Sequence, residues 1–123
     1  MKFISIWKPD PKAWNAQPDE KQMAAMGQLI GEMMSSGVLL DTGGVSDGGS
    51  SLRVQRTGGT FAVTDGPFTE TKELVGGFAI FKVNSKEEAV ALTRRFLEIA
   101  GDGISELHEV GEFESPRARI AFD

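Results

Sequence analysis

The 123-residue sequence contains no cysteine, which excludes a disulfide framework, a thiolate metal site and a cysteine nucleophile together. It is also poor in histidine. His108 is the only one, so a metal would have to be held by carboxylates. Asp41, Asp47, Asp65 and Glu70 lack the spacing of a calcium loop, and no metal site is expected. Neither a Gly-Lys-Ser/Thr phosphate loop nor a G-x-G-x-x-G fingerprint occurs, so no cofactor is expected and the glycines at 43–49 read as a flexible loop. Long apolar runs are missing too. Nothing approaches the roughly 18 residues of a membrane span, and Lys8, Pro9 and Asp10 cut the first apolar stretch too short for a signal peptide. A cytoplasmic location, away from membranes, is the expectation. Clustered positive charge is absent, with a net charge of −5, and direct nucleic-acid binding needs such clusters. The tight basic pair Arg94–Arg95 reads as the solvated end of a helix, where it suits the dipole.

What the chain does have is an ordinary globular balance of 40% hydrophobic and 25% charged residues, enough to bury a core without staples. A single domain over 1–114 is expected, followed by a tail over 115–123. Lys2 to Trp7 reads as a strand, apolar on both faces through Phe3, Ile4, Ile6 and Trp7. A helix is predicted from about Asp19 to Ser36, with Asp19 as cap, Gln22 as its capping-box partner, and Met23, Met26, Ile30 and Met33 as its apolar stripe. Gly37 stops it. A short strand over 38–42 precedes the Gly-rich loop, and 52–56 with 60–64 form a hairpin around Gly58-Gly59. Strand 76–83, a second helix opened by the Ser85/Glu88 capping box, and a last strand over 104–113 complete the order. The methionines at 23, 26, 33 and 34 read as core rather than as a ligand cavity.

That order places two strand–helix–strand halves around an inserted hairpin. It predicts an α+β, ferredoxin-like (split βαβ) antiparallel sheet with both helices on one face. The other face must then carry large apolar side chains from the group Phe3, Trp7, Phe61, Phe78, Phe81 and Leu107. Bare apolar surface costs roughly 25 cal/mol per Å², so a homodimer pairing two sheet faces is expected.

The run Thr64-Asp65-Gly66-Pro67-Phe68-Thr69-Glu70-Thr71-Lys72-Glu73-Leu74-Val75-Gly76-Gly77-Phe78 resembles the signature of the DGPF-type branch of the YCII-related domain family. Element order and length agree over about residues 1–114. The resemblance implies a ferredoxin-like dimer with sheets packed face to face, a dimeric α/β barrel. It also implies relatives of two kinds: enzymes in which a His and an Asp share a pocket, including a dehydrochlorinating lyase, and members fused to sigma-factor-like domains. Helix 19–36 contains no histidine, whereas the catalytic members carry theirs there.

Among residues able to do chemistry, Asp65 comes first. A turn Asp normally accepts from the backbone N–H two residues on, but that residue is Pro67, which has none. Its carboxylate reads either as a general base or as a cap for the turn. Glu70, Lys72 and Glu73 form an alternating charge patch beside it; Lys72 could hold an anion while Asp65 takes a proton, or the patch is a solvated surface. His108 shares a strand face with Ile104, Glu106, Val110 and Glu112, whose carboxylates would favour its protonated form; a plain surface histidine is the alternative. Trp7 could wall a pocket at the dimer face, and Trp14 could fold back over the core or the partner.

Three functions remain open. One is a small-molecule-binding dimer, with a pocket between sheet and hairpin lined by Asp65, Trp7, Phe68, Glu70 and Lys72. The second is a lyase- or isomerase-like enzyme in which Asp65 moves a proton and Lys72 or His108 steadies the anion. The third is an interaction module serving a transcription regulator.

Overall fold

The computed structural model describes residues 1–12, 17–45, 51–66 and 75–111. Its elements run β1 (Lys2–Pro9), α1 (Glu20–Ser35), β2 (Leu39–Gly44), β3 (Leu52–Thr57), β4 (Thr60–Asp65), β5 (Gly77–Lys82), α2 (Lys86–Ala100) and β6 (Gly103–Glu109). The helix ends follow local chemistry. Asp19 Oδ1 accepts from the Gln22 N–H at 2.7 Å and Gly37 turns the chain at φ 80°. Ser85 Oγ accepts from the Glu88 N–H at 3.1 Å, while Glu88 Oε2 accepts from the Asn84 N–H at 3.2 Å.

The capping box expected at α1 is only half made. The Gln22 amide donates to the Ile99 carbonyl at 2.9 Å instead of returning to Asp19, which fastens the start of α1 to the end of α2. Arg95 likewise departs from expectation. It sits inside α2 rather than in its last turn, and its guanidinium pairs with Glu32 of α1 at 2.8 Å. With both side chains about half exposed, that pair contributes at most about 1 kcal/mol.

Four strands form one antiparallel sheet in the order β2-β5-β1-β6, so β5 and β1 are central. Both helices pack on the face bearing Phe3, Leu39 and Phe81, which join Leu29, Met33, Val83 and Ala89 in the buried core. Strand pairing shows why the sequence misassigned the faces. Phe3 pairs with Phe81, and Trp7 with Gly77, so Phe3, Trp7, Phe81 and Leu107 all lie on the helix side. The opposite, outer face carries Ile4, Ile6, Phe78, Ile80 and Ile104. Several of the group Phe3, Trp7, Phe61, Phe78, Phe81 and Leu107 were expected there, and Phe78 alone belongs to it. β1 is apolar at both parities, and register with its neighbours decides which parity meets the helices.

Phe61 lies elsewhere, on the separate two-stranded sheet β3–β4. Gly58 and Gly59, at φ 58° and 84°, supply the two consecutive positive angles that a tight hairpin turn requires. All twelve strand residues of this hairpin are exposed.

Candidate functional site

Between the sheet and its helices lies a cavity of about 270 Å³. Its floor is the helix side of β1 and β5, with Ser5, Trp7, Ala79 and Phe81. Its roof is Met26, Leu29, Ile30 and Met33 of α1 with Thr93 and Phe96 of α2. Gly43 and Gly44 at the end of β2, and Gly76 and Gly77 at the start of β5, border one end with bare backbone. Small residues on the helix side of these two strands leave the space: Ser5 stands opposite Ala79, and Gly77 opposite Trp7.

The lining contains no charged side chain among the described residues. Two of its three side-chain hydroxyls are committed to backbone, Thr93 to the Ala89 carbonyl and Thr42 to the Phe78 carbonyl, each at 2.8 Å. Ser5, 6% exposed, is the third. Trp7 forms one wall and meets Phe96 edge-on. An apolar, aromatic-walled space of this kind is suited to a small flat molecule held by contact area and one or two hydrogen bonds. A dry apolar cavity of about 150 Å³ already accepts benzene.

The residues singled out from sequence are distributed unevenly around this space. Trp7 lines it, on the helix side of the sheet rather than at an outer, dimer-facing surface. Asp65 ends β4, exposed and paired with Leu52, and is not part of the lining. His108 is exposed on the outer face of β6, opposite Ile4, with the thickness of the sheet between it and the cavity. The structure therefore does not bring Asp65, His108 and Trp7 together. Phe68, Glu70, Lys72 and Trp14 lie outside the described residues. Met33 belongs to the buried core, as that stripe predicts, and together with Met26 it also lines the cavity, while Met23 and Met34 are exposed and belong to neither. Sequence reasoning also passed over Ser5 and the 76–77 glycines as cavity residues. Small residues at alternate positions of the predicted strands, Ser5 on the first and Gly77 and Ala79 on the fifth, are the available signal.

On the outer face, Lys8 Nζ lies 2.6 Å from Glu106 Oε1. The hydrogen bond and charge of Lys8, followed by a weaker field from His108, hold the Glu106 carboxyl below its ordinary titration range. No group of three His, Asp or Glu comes together as a metal site among the described residues, and no described helix is long and apolar enough to cross a membrane.

The family model of the YCII-related domain matches residues 1–114. The chain belongs to the YCII-related domain family. Comparison of this YCII-related chain with curated proteins gave no match. Among solved structures it is similar to 5-chloro-2-hydroxyhydroquinone dehydrochlorinase from Burkholderia phenoliruptrix AC1100, in complex with 2,5-dihydroxybenzoquinone. The superposition has a TM-score of 0.50 at 13% identity and covers 93% of this chain and 97% of that one. At that identity the likeness speaks for the fold: an α+β arrangement of two helices on antiparallel sheet.

Proposed function

We propose that this YCII-related protein binds a small, flat, largely apolar molecule in the cavity between sheet and helices. The observation that carries this is the uncharged, aromatic-walled space of about 270 Å³ with Ser5 as its uncommitted hydroxyl. Burial of the ligand against Trp7, Phe96 and the α1 methionines supplies affinity, and Ser5 fixes orientation. An anionic substituent on the ligand would have to sit at the glycine-bordered end. Residues 67–74, with Phe68, Glu70 and Lys72, lead in sequence directly to Gly76 there, which makes Lys72 the natural cation. The binding of a dihydroxybenzoquinone by the dehydrochlorinase of similar fold supports the same size and shape of ligand. A lyase- or isomerase-like reaction is the second reading, favoured by that same adjacency; it needs its proton carrier, Asp65 or Glu70, brought to the mouth.

The functional unit in this proposal is a homodimer. The strand order β2-β5-β1-β6 supports reading the sheet as a split βαβ arrangement, whose outer face, here Ile4, Ile6, Phe78, Ile80 and Ile104, needs a second apolar layer. Two sheets paired across a two-fold axis, as in a dimeric α/β barrel, supply it.

Calorimetric titration with 2,5-dihydroxybenzoquinone and with 2-naphthol tests the site. Saturable one-to-one binding is expected for at least one probe, together with its loss in Ala79→Leu, which fills the floor while leaving the circular dichroism spectrum intact. Absence of saturable heat for both up to about 1 mM, where binding is worth only about 4 kcal/mol, removes the proposal.

A further inference from the structure

We propose that the β3–β4 hairpin docks through its apolar side against the same side of the hairpin of a second copy, with the two hairpins pointing in opposite directions. Strand register puts Leu52, Val54, Arg56, Phe61, Val63 and Asp65 on that side. Leu52, Val54, Phe61 and Val63 are 63–67% exposed there, so they have no apolar layer among the described residues. A two-stranded hairpin alone is marginal in water and needs such a layer to persist. The outer face of the four-stranded sheet is not that layer, because the sheet pairing proposed above already occupies it.

The order of residues along this side identifies the cover as another copy of itself. From base to tip the paired positions are Leu52 with Asp65, Val54 with Val63, and Arg56 with Phe61. The cation therefore sits beside the aromatic ring at the tip, its guanidinium 5.9 Å from the Phe61 ring centre. The carboxylate sits beside Leu52 at the base. Four residues of strand, about 13 Å, separate the two ends, which keeps Arg56 and Asp65 of one hairpin apart. Among the described residues neither has an ion-pair partner.

Face-to-face packing about a two-fold axis allows two alignments of such hairpins. With the tips together, the two Arg56 side chains crowd each other at one end and the two Asp65 side chains at the other. With the tips opposed, Arg56 and Phe61 meet Asp65 and Leu52 of the partner subunit at both ends, and the valines meet in the middle. Charge and apolar surface match only in the second alignment, and like charges penalise the first. The four apolar side chains offer on the order of 400 Å² per copy, given that one buried aromatic accounts for about 150–250 Å². A stable interface uses about 800 Å² per partner. The contact therefore rests on the sheet pairing proposed above for the remainder of its strength, while using a surface outside that sheet.

Because the chain has no cysteine, one introduced thiol reports on the contact alone. Val63→Cys treated with a short bismaleimide at micromolar concentration is expected to give covalently joined pairs of chains. Thr64→Cys, on the opposite side of the same strand, is expected to give none. Charge reversal reads the alignment. In the Val63→Cys background, Arg56→Asp or Asp65→Arg alone should slow crosslinking at least about threefold, as loss of two exposed ion pairs predicts. An equal mixture of the two variants should restore the rate, because each mixed pair again has opposite charges at both ends; restoration also shows that both variants are folded. Dimers that sediment normally but link no faster through position 63 than through position 64 would overturn the inference and leave the sheet pairing standing. Linkage through position 63 that mixing does not restore would overturn the opposed alignment, and the inference with it. Monomers that do not link would remove both.

Discussion

The indole of Trp7 stands edge-on to the ring of Phe96, with centroids 5.4 Å apart and planes at 88°. This contact ties the middle of the sheet to α2 across the cavity, and T-shaped pairs add about 0.5–1.5 kcal/mol beyond their buried area. Trp7→Ala removes the contact and widens the cavity, so a loss of about 2–4 kcal/mol is expected, with Trp7→Phe losing less. Urea unfolding followed by circular dichroism measures both. An unchanged midpoint for Trp7→Ala would mean that α2 is held without this contact.

Glycine substitutions should split by location. A Cβ at Gly76 would lie 2.8 Å from two atoms of the Trp7 ring and 2.9 Å from Pro9 Cδ, so Gly76→Ala should destabilise by about 1–3 kcal/mol through overpacking. Gly27 and Gly31 lie within α1, exposed and with nothing within 4 Å of a new Cβ. Replacing either with Ala should stabilise by up to about 1 kcal/mol through helix propensity alone. Thermal melts of the three variants decide the matter, and opposite signs are the required outcome.

Ser105 Oγ and Trp7 Nε1 occupy directly paired positions of β6 and β1, and both are buried without a hydrogen-bond partner. An unsatisfied buried polar group costs about 1–3 kcal/mol. Ser105→Ala deletes one of the two and should leave stability unchanged or raise it. A clear drop in the chemical denaturation midpoint would reveal that the hydroxyl has work to do.

Glu106 gives the fold a pH-dependent element. Its carboxyl titrates lower when folded, through the Lys8 hydrogen bond first and the Lys8 charge second. The sign follows from linkage: the contribution is complete above the unfolded carboxyl range and disappears as pH falls through the folded one. Glu106→Gln should therefore be less stable than the parent at neutral pH, with the difference closing in acid. Parallel melts at neutral and strongly acidic pH measure it. A gap that persists in acid would assign the effect to something other than ionisation.

What the sequence made legible was local. The caps at Asp19 and Ser85, the Gly37 stop and the Gly58-Gly59 turn depend on residues a few positions apart, and the structure has all of them. The α+β element order follows from the same short-range signals. The sheet faces were not legible, because Phe3, Ile4, Ile6 and Trp7 are apolar at consecutive parities and only pairing with β5 and β6 chooses between them. The cavity was hidden for a related reason. Ser5, Met33, Ala79 and Phe96 are far apart in the chain, and none carries a type that marks chemistry. Titratable side chains are the types that mark chemistry in a sequence, and of these Asp65 and His108 sit outside the lining.

The close approach at the start of β5 bears on how mutational scans of this protein are interpreted. Added side chains at positions 76, 77 and 103 would collide with a ring, a proline or a carbonyl at under 3 Å. Libraries will therefore be depleted at these positions whatever the ligand is. Intolerance in the Gly-Gly portion of the signature diagnoses crowding, and only the polar positions upstream can report on chemistry.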